Sequence, residues 1–202
     1  GGHSKKILQH LKRGRLYAFD TDKEALANAI DDKRVTYIHG NFMFLKNYLK
    51  YYGVKTVNGI IADLGISSHQ IDIPERGFSF KHDAALDMRM NRQSEKSAKD
   101  IINTCSKEQL ISVFKNYGEI PNAGRLVNHL INCRKEKEIQ TSGRLIKCIA
   151  PCIPKVHANK YLAKVFQALR IELNHEIKAL KYLLEAAGQL LSPQGRLVII
   201  SY

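Results

Sequence analysis

Short apolar segments alternate with helical patterns through the first third of the chain. Three segments have the length and the β-branched or aromatic content of strands: RLYAFD (15–20), VTYI (35–38) and VNGIIAD (57–63). Apolar residues at three- and four-residue spacing predict helices over 4–11, 22–30 and 42–52. Because strands and helices alternate, we predict a parallel sheet with helices on its faces.

The pattern changes from about residue 97 to about residue 158, where short helical patterns follow one another and no strand pattern is present. Boundaries fall at Ser106, Pro121, Thr141 and the APCIP break at 150–154. A long helical pattern over 161–191 stops at Ser-Pro-Gln-Gly (192–195), and RLVIISY (196–202) reads as a buried strand. We therefore predict an α/β core formed by 1–98 and 159–202, with a helical insertion at 99–158.

The charge balance suggests a polyanionic partner. Lys and Arg outnumber Asp and Glu by 32 to 19, which gives a net charge of +13 spread along the chain. Neutralised phosphates release counterions, so such a surface favours nucleic acid, although a generic basic surface is the alternative. No stretch approaches ~20 uninterrupted apolar residues and no leader opens the chain, so we expect a cytoplasmic protein with no membrane association.

The four cysteines do not indicate a metal site. Cys148 and Cys152 stand at i, i+4, and no second Cys or His pair at metal spacing accompanies them. We therefore predict no bound metal and four buried, reduced thiols.

Polar and glycine residues at the predicted strand ends suggest a nucleotide pocket. Gly1, Gly2 and His3 precede a helix, where backbone N–H groups and the helix dipole favour an anionic or polar ligand. Asp20 closes the next strand ~20 residues on, where a carboxylate can accept hydrogen bonds from both ribose hydroxyls. Phe42 follows the second strand and can either pack on an adenine face or belong to the core. The spacing fits a nicotinamide dinucleotide and S-adenosylmethionine equally well.

Asp63 ends the third strand and opens a long polar segment, DLGISSHQIDIPERGFSFKHDAALDMRM (63–90). Together with GGHS (1–4), KVFQALRIELNHE (164–176) and GRLVIIS (195–201), this segment closely resembles the ribosomal RNA small-subunit methyltransferase H family, also called MraW. The resemblance implies a Rossmann-like class I methyltransferase. It also implies transfer of a methyl group from S-adenosylmethionine to the exocyclic N4 of a cytidine in the decoding region of 16S rRNA.

The resemblance also implies roles for single residues. Gly1, Gly2 and His3 would wrap the methionine part of the cofactor, Asp20 would hold its ribose and Phe42 would border its adenine. Asp63 and Gln70 would complete the pocket. The helical block would help to recognise RNA. The partner would be 16S rRNA or the small ribosomal subunit, and a homodimer is compatible with the family. The family's strand before the glycine turn and its segment after VIIS are missing, so we expect a chain truncated at both ends.

The chemistry of the reaction suggests the catalytic groups. The lone pair of a cytosine amino nitrogen is delocalised, so the site must supply geometry and an acceptor for the N–H rather than a strong base. We predict Asp63 on the cofactor side, with the Ser67 hydroxyl or a backbone carbonyl of 64–68 as the acceptor. Arg76, Phe78, Phe80, Arg89 and Met90 either form an ordered loop, with the arginines paired to Asp83 or Asp87, or contact an extruded cytosine and its phosphates.

Two other functions compete with this one. A nicotinamide-dependent oxidoreductase would share the glycine turn and Asp20, but it has no evident use for the charge of +13. A catalytically silent RNA-binding module would use the basic surface and leave the pocket without a reaction. Uptake of S-adenosylmethionine distinguishes the latter from an enzyme.

Overall fold

A computed structural model describes residues 2–27 and 29–201. The chain divides into two compact units, which we call unit 1 and unit 2. Unit 1 runs up to Leu64, includes Met90–Arg92 and resumes at Ile177. Unit 2 consists of Gly65–Arg89 and Gln93–Glu176.

Unit 1 has the alternating order of strands and helices that the sequence predicts. Its elements are α1 (Gly2–His10), β1 (Leu16–Asp20), α2 (Lys23–Leu26), β2 (Val35–His39), a 3₁₀ turn (Phe42–Phe44), α3 (Leu45–Tyr51), β3 (Val57–Asp63), α10 (Glu176–Leu190, whose first residue belongs to unit 2) and β4 (Leu191–Ile200). Helix α2 is shorter than the predicted 22–30. Beyond the end of α2, the Ile30 N–H donates to the Tyr37 hydroxyl of β2 (2.8 Å) rather than to a helical carbonyl.

All strand pairing within the described ranges is parallel. Strand β1 pairs with β2, with Asp20 opposite His39, and β3 pairs with β4, with Asp63 opposite Ile200. These pairs form two separate two-stranded sheets, and no ladder joins them in the part of the chain that the structure describes. The prediction of an α/β, Rossmann-like architecture with parallel strands is confirmed. The sequence led us to expect one sheet, whereas the described strands form two separate pairs.

Two helices form the core of unit 1 together with residues of β1 and β3. Leu45 and Leu49 of α3 pack with Leu183, Ala186 and Leu190 of α10. The partly buried hydrophobic residues against this cluster are Tyr17, Phe19, Phe42, Val54, Val57, Ile60 and Ala62. Burial of each large aliphatic side chain contributes about 1.5–3 kcal/mol, so this cluster holds β1 and β3 to the same helices.

Unit 2 is helical, as predicted for the middle of the chain. Its helices are α4 (Ser68–Asp72), α5 (Ala98–Thr104), α6 (Lys107–Asn116), α7 (Ala123–Glu136), α8 (Ser142–Ile149) and α9 (Ala158–Leu173), with 3₁₀ turns at Pro74–Arg76 and Ala150–Cys152. Two predicted boundaries are N-caps: the Ser106 hydroxyl accepts from the Gln109 N–H (3.2 Å), and the Thr141 hydroxyl accepts from the Arg144 N–H (3.2 Å). Each cap satisfies a helix N–H that has no partner within its helix.

The predicted helix over 161–191 is wrong in one respect, because it is two helices. Helix α9 ends at Leu173 and α10 begins at Glu176, with His175 in the left-handed region at φ 53°. The Asn174 side-chain amide donates to the carbonyls of Arg170 (2.9 Å) and Met88 (2.9 Å). This distant bond to Met88 accompanies the break, and periodicity alone does not reveal it.

Unit 2 takes in more than the predicted insertion. The helices within 99–158 lie in it together with Gly65–Arg89 and the chain up to Glu176. Backbone hydrogen bonds explain this extension: Leu86 N–H donates to Gln140 O (2.9 Å), and Ala98 N–H donates to Asp87 O (2.8 Å). The polar segment is therefore part of the helical unit, and the insertion's role in recognising RNA stays a prediction.

The prediction of four reduced thiols is wrong for two of them. Cys133 on α7 and Cys148 on α8 form a disulfide with their Cα atoms 5.8 Å apart, within the usual range. Cys105 and Cys152 are free, and burial raises the pKa of both thiols. No helix within the described ranges has the length and apolar character needed to cross a membrane.

Candidate functional site

The Asp20 carboxylate lies at the carboxyl end of β1 and is held by its neighbours. Asp22 N–H donates to Asp20 Oδ1 (2.8 Å), and Gly40 N–H donates to the Asp20 carbonyl (2.9 Å), which ties the ends of β1 and β2 together. Asp20 Oδ2 accepts no hydrogen bond from any residue that the structure describes. A fixed carboxylate with one available oxygen at a strand end suits a ligand with hydroxyl groups.

The protonation of Asp20 is shifted by its surroundings. Although the residue is exposed, nearby protein withdraws enough water from the carboxyl group to raise its pKa above the usual 3.8. The Asp22 N–H opposes this rise, and the Asp22 charge reinforces it. An ionised Asp20 therefore costs the free fold some stability, which is common for groups that meet a ligand.

Asp63 lies at the carboxyl end of β3 and approaches the start of α1. His3 Nδ1 is 3.4 Å from Asp63 Oδ2, and the two side chains are 54% and 42% exposed. The structure therefore brings together two predicted cofactor residues from distant parts of the sequence, and both side chains stay open to solvent.

The other predicted cofactor residues of unit 1 have mixed outcomes. A Cβ atom at Gly2 would meet nothing within 4 Å, so the backbone there is open to approach. Phe42 is partly buried against the Leu45 and Leu49 cluster, which supports the core alternative for this side chain and leaves its adenine role a prediction. Gly1 lies outside the described residues.

Ser67 and Gln70 form a capping box at the start of α4. The Gln70 N–H donates to Ser67 Oγ (3.3 Å), and the Ser67 N–H donates to Gln70 Oε1 (3.2 Å). Gln70 is only 6% exposed, while Ser67 is exposed. The cap occupies one lone pair of the Ser67 hydroxyl, so its second lone pair and its proton are still available to a substrate.

The Arg76 side chain is buried within the polar segment and binds its backbone. It is 2% exposed, donates to the Arg89 carbonyl (3.0 Å) and lies 5.8 Å from the centre of the Phe78 ring. The Arg76 carbonyl accepts the N–H of Met88 (3.0 Å), a fully buried residue in the left-handed region at φ 58°. Such a buried cation holds a backbone turn and does not reach an RNA phosphate.

The ordered-loop alternative also describes Arg89 and Phe80. Arg89 forms a bidentate pair with Asp87 (2.8 and 2.9 Å), and Phe80 packs edge to face on Phe166 with ring centres 5.5 Å apart. Asp83, the other predicted partner, accepts the Gly143 N–H (2.8 Å) instead, and hydrogen bonds from Thr141 and Gly143 lower its pKa. Side-chain contacts within unit 2 thus hold residues 65–89 in an ordered loop.

Sequence reasoning missed two arrangements of acidic residues. Asp22 is buried and accepts from the Glu24 N–H (3.1 Å) as the N-cap of α2, a role signalled by its position before the helix. The Arg170 and Glu176 side chains pair across the break between α9 and α10 at 2.8 and 3.2 Å. A continuous helical pattern gives no signal for that second contact.

The donor set fits a nucleoside cofactor better than a metal ion. Asp20 offers a carboxylate oxygen at a strand end, and the open backbone at Gly2 is next to His3, which faces Asp63. Within residues 2–27 and 29–201, no group of three or more His, Cys, Asp or Glu side chains is arranged to hold a metal ion.

Comparison with known proteins decides the family. The sequence pattern of the MraW methylase family matches residues 1–202. The chain belongs to the MraW methylase family. This membership places the chain in a family of methyltransferases. It argues against the alternative function of a nicotinamide-dependent oxidoreductase.

Named relatives of this family resemble the chain over its whole length. It is 52% identical over 204 residues to the ribosomal RNA small subunit methyltransferase H of Cytophaga hutchinsonii, covering 100% of this chain and 68% of that protein. It is 47% identical over 203 residues to the enzyme of the same name from Phocaeicola vulgatus, covering 100% of this chain and 67% of that protein. The MraW resemblance predicted from the sequence is thereby confirmed.

Proposed function

We propose that this chain is an S-adenosylmethionine-dependent methyltransferase that acts on the exocyclic N4 of a cytidine in the decoding region of 16S rRNA. The observation that carries the proposal is Asp20, a fixed carboxylate at the end of β1 with Oδ2 available to a ribose. The names of the MraW relatives support ribosomal RNA as the substrate. Their small-subunit designation supports the ribosomal partner.

The residues of unit 1 would bind the cofactor, which supplies an electrophilic methyl group. Asp20 would accept hydrogen bonds from the ribose hydroxyls through Oδ2, since Oδ1 is already bonded to Asp22. Asp63 and His3 would border the methionine part, and Gly2 would let the backbone approach it. Phe42 and Gln70 remain proposed neighbours of the cofactor, with Phe42 acting through its exposed part.

The turn that follows Asp63 in sequence would orient the target amine. Ser67 Oγ keeps one lone pair beyond its cap, so it can accept an N–H of the cytosine amine and favour a pyramidal nitrogen. No strong base is required, because the nitrogen loses its proton readily once it carries the methyl group. The proposed catalytic residues are therefore Ser67, which would contact the substrate amine, and Asp63, which would contact the cofactor.

Some arginines of the helical block bind backbone carbonyls of the protein itself. Arg134 donates to the carbonyls of Ile102 (2.7 Å) and Cys105 (2.8 Å). Arg144 donates to the Lys137 carbonyl (2.9 Å). These arginines satisfy carbonyl groups near helix ends, so the proposed RNA contacts fall to exposed lysines such as Lys107, Lys115 and Lys147.

The function is tested with isotopically labelled S-adenosylmethionine and small ribosomal subunits that lack the modification. Nucleosides from the digested 16S rRNA are analysed by mass spectrometry. We expect the label in N4-methylcytidine, at one position of the decoding region. Label on a ring carbon or on another base would contradict the proposed specificity. Calorimetry that shows no uptake of S-adenosylmethionine would instead favour the silent RNA-binding module.

Replacing Asp63 with alanine should weaken cofactor binding more than turnover. The change removes the carboxylate that faces His3, so we expect the Kd of S-adenosylmethionine to rise about tenfold, with kcat at saturating cofactor largely retained. Calorimetry gives the Kd, and single-turnover methylation gives the rate. If binding stayed intact while turnover was lost, Asp63 would act on the substrate amine and the assignment to the cofactor side would be wrong.

A further inference from the structure

The Arg170 guanidinium on the last turn of α9 is fixed by one carboxylate. Its Nε donates to Glu176 Oε1 (2.8 Å) and its Nη2 donates to Glu176 Oε2 (3.2 Å). The two side chains are 19% and 18% exposed. A bidentate pair with so little exposure holds the guanidinium plane in one orientation.

The third nitrogen of this guanidinium is directed elsewhere. Arg170 Nη1 donates to no residue in the described ranges, and it lies 4.0 Å from the position that a Cβ atom would take at Gly65. Gly65 is exposed and adopts φ +110°, so it leaves open space beside the guanidinium. The Nη1 nitrogen of a fixed cation, which carries two N–H groups, therefore lies beside a glycine at the start of the turn that holds Ser67.

A purely structural role explains the pair poorly. Burial raises the pKa of Glu176, and the Arg170 charge opposes that rise, so desolvation offsets part of the attraction. Glu176 also uses only two of the five N–H donors, and the helix end is already closed by Asn174, which donates to the Arg170 carbonyl (2.9 Å). The arrangement is better described as a preorganised cation with an unused donor pair.

We infer that Arg170 is a substrate-binding residue whose Nη1 donates to an anionic oxygen placed against Gly65, and that Glu176 is its positioning residue. The inference rests on the proposed function for its choice of ligands. A phosphate of the RNA strand and the carboxylate of the methionine part of the cofactor share this chemistry. The planar fork of arginine suits either group, and a glycine at the contact lets the oxygen approach the backbone.

The test compares Arg170→Gln and Arg170→Lys with Lys164→Gln. Lys164 lies on the same helix and forms an exposed salt bridge with Glu119 (2.7 Å), so its replacement removes the same charge without touching Gly65. Fluorescence anisotropy with a decoding-region RNA, repeated over a salt series, measures RNA binding. Calorimetry with S-adenosylmethionine measures cofactor binding, and circular dichroism checks that each variant is folded at the assay temperature.

We expect Arg170→Gln to weaken the binding of one ligand about tenfold, and Lys164→Gln to change both affinities less than about twofold. If the oxygen belongs to RNA, the negative slope of the logarithm of the binding constant against the logarithm of the salt concentration should also decrease in magnitude by about one. If it belongs to the cofactor, only the calorimetric Kd should rise. Arg170→Lys should restore part of the affinity, because a point charge replaces the fork.

Two results separate this inference from the proposed function. If folded Arg170→Gln binds RNA and S-adenosylmethionine as tightly as Lys164→Gln does, Arg170 is a structural residue and the inference is wrong. If the unaltered chain transfers no methyl group to rRNA but Arg170→Gln still loses affinity for one ligand, the proposed reaction fails and the binding role of Arg170 stands.

Discussion

Replacing Gly77 with alanine is expected to destabilise unit 2 strongly. Gly77 adopts φ +70°, and an added Cβ would overlap the Ala85 carbonyl oxygen and lie 2.7 Å from the Asp87 nitrogen. Both are backbone atoms that cannot rotate away. Strain at a left-handed position and an overpacked contact together should lower the free energy of unfolding by about 3 kcal/mol.

Gly53→Ala is the matched control for this change. Gly53 has φ +71°, but a Cβ there would meet nothing within 4 Å. The control therefore isolates backbone strain, which should cost about 1 kcal/mol. The chain contains no Trp, so urea unfolding is best followed by far-ultraviolet circular dichroism. Equal losses for the two variants would show that the close packing of 76–88 is not a source of stability.

Gly77→Ala should also affect ligand binding. Arg76 precedes this glycine and donates to the Arg89 carbonyl, while Met88 N–H donates back to the Arg76 carbonyl. Displacing Ala85 and Asp87 would disturb this exchange, and with it the bond from Asn174 to Met88 at the end of α9. Arg170 lies one turn before Asn174, so a shift of Asn174 should also move Arg170. We therefore expect the folded fraction of Gly77→Ala to bind its ligands less tightly.

Local signals explain why the strands and most helix starts could be predicted. Short β-branched runs such as 57–63 are typical of strands, and hydroxyl residues such as Ser106 and Thr141 cap helices through atoms three residues away. Asp20 and Asp63 were identified because each ends such a strand. Every one of these features is decided within a few residues of sequence.

Long-range contacts explain the errors. The long helix breaks where Asn174 bonds to Met88, 86 residues away, and beyond the early end of α2 the Ile30 N–H bonds to the Tyr37 hydroxyl. The disulfide between Cys133 and Cys148 likewise depends on how α7 packs on α8. The structural roles of Arg76 and Arg89 follow from burial and partners, which residue type alone does not reveal. Periodicity carries no information on such contacts.

Replacing Asp20 with asparagine is expected to cause the largest loss of cofactor affinity. The amide oxygen can still accept the Asp22 N–H (2.8 Å in the structure), so the end of β1 should keep its conformation. The ribose, however, would meet an NH₂ group in place of the available carboxylate oxygen. Losing hydrogen bonds to a charged acceptor should raise the Kd of S-adenosylmethionine about 10- to 100-fold in calorimetry.

Asp31→Asn is the control, because Asp31 is an exposed acid of the same unit and its replacement changes the net charge equally. We expect its affinity for S-adenosylmethionine to match that of the unaltered chain. If Asp20→Asn and Asp31→Asn bound the cofactor equally well, the ribose would be held by another group and the carboxylate at the end of β1 would have no cofactor role.

The same substitution should raise thermal stability when no cofactor is present. Burial raises the pKa of Asp20 in the folded chain, so the folded state holds this proton more tightly than the unfolded state does. The stabilising contribution of protonation is therefore complete below the unfolded pKa and is lost as pH rises through the folded pKa. At neutral pH the ionised carboxylate is a cost that asparagine does not carry.

We therefore expect Asp20→Asn to unfold at a higher temperature than the unaltered chain at pH 7, with the difference shrinking as the pH falls toward 3.8, the ordinary pKa of the group. Affinity of the unaltered chain for S-adenosylmethionine should fall over the same range, because protonation of Asp20 removes the charged acceptor. Melting curves and calorimetry at matched pH values test both trends. A variant that is less stable than the unaltered chain at pH 7 would mean that the ionised carboxylate supports the fold, and the expected stability cost of its charge would be wrong.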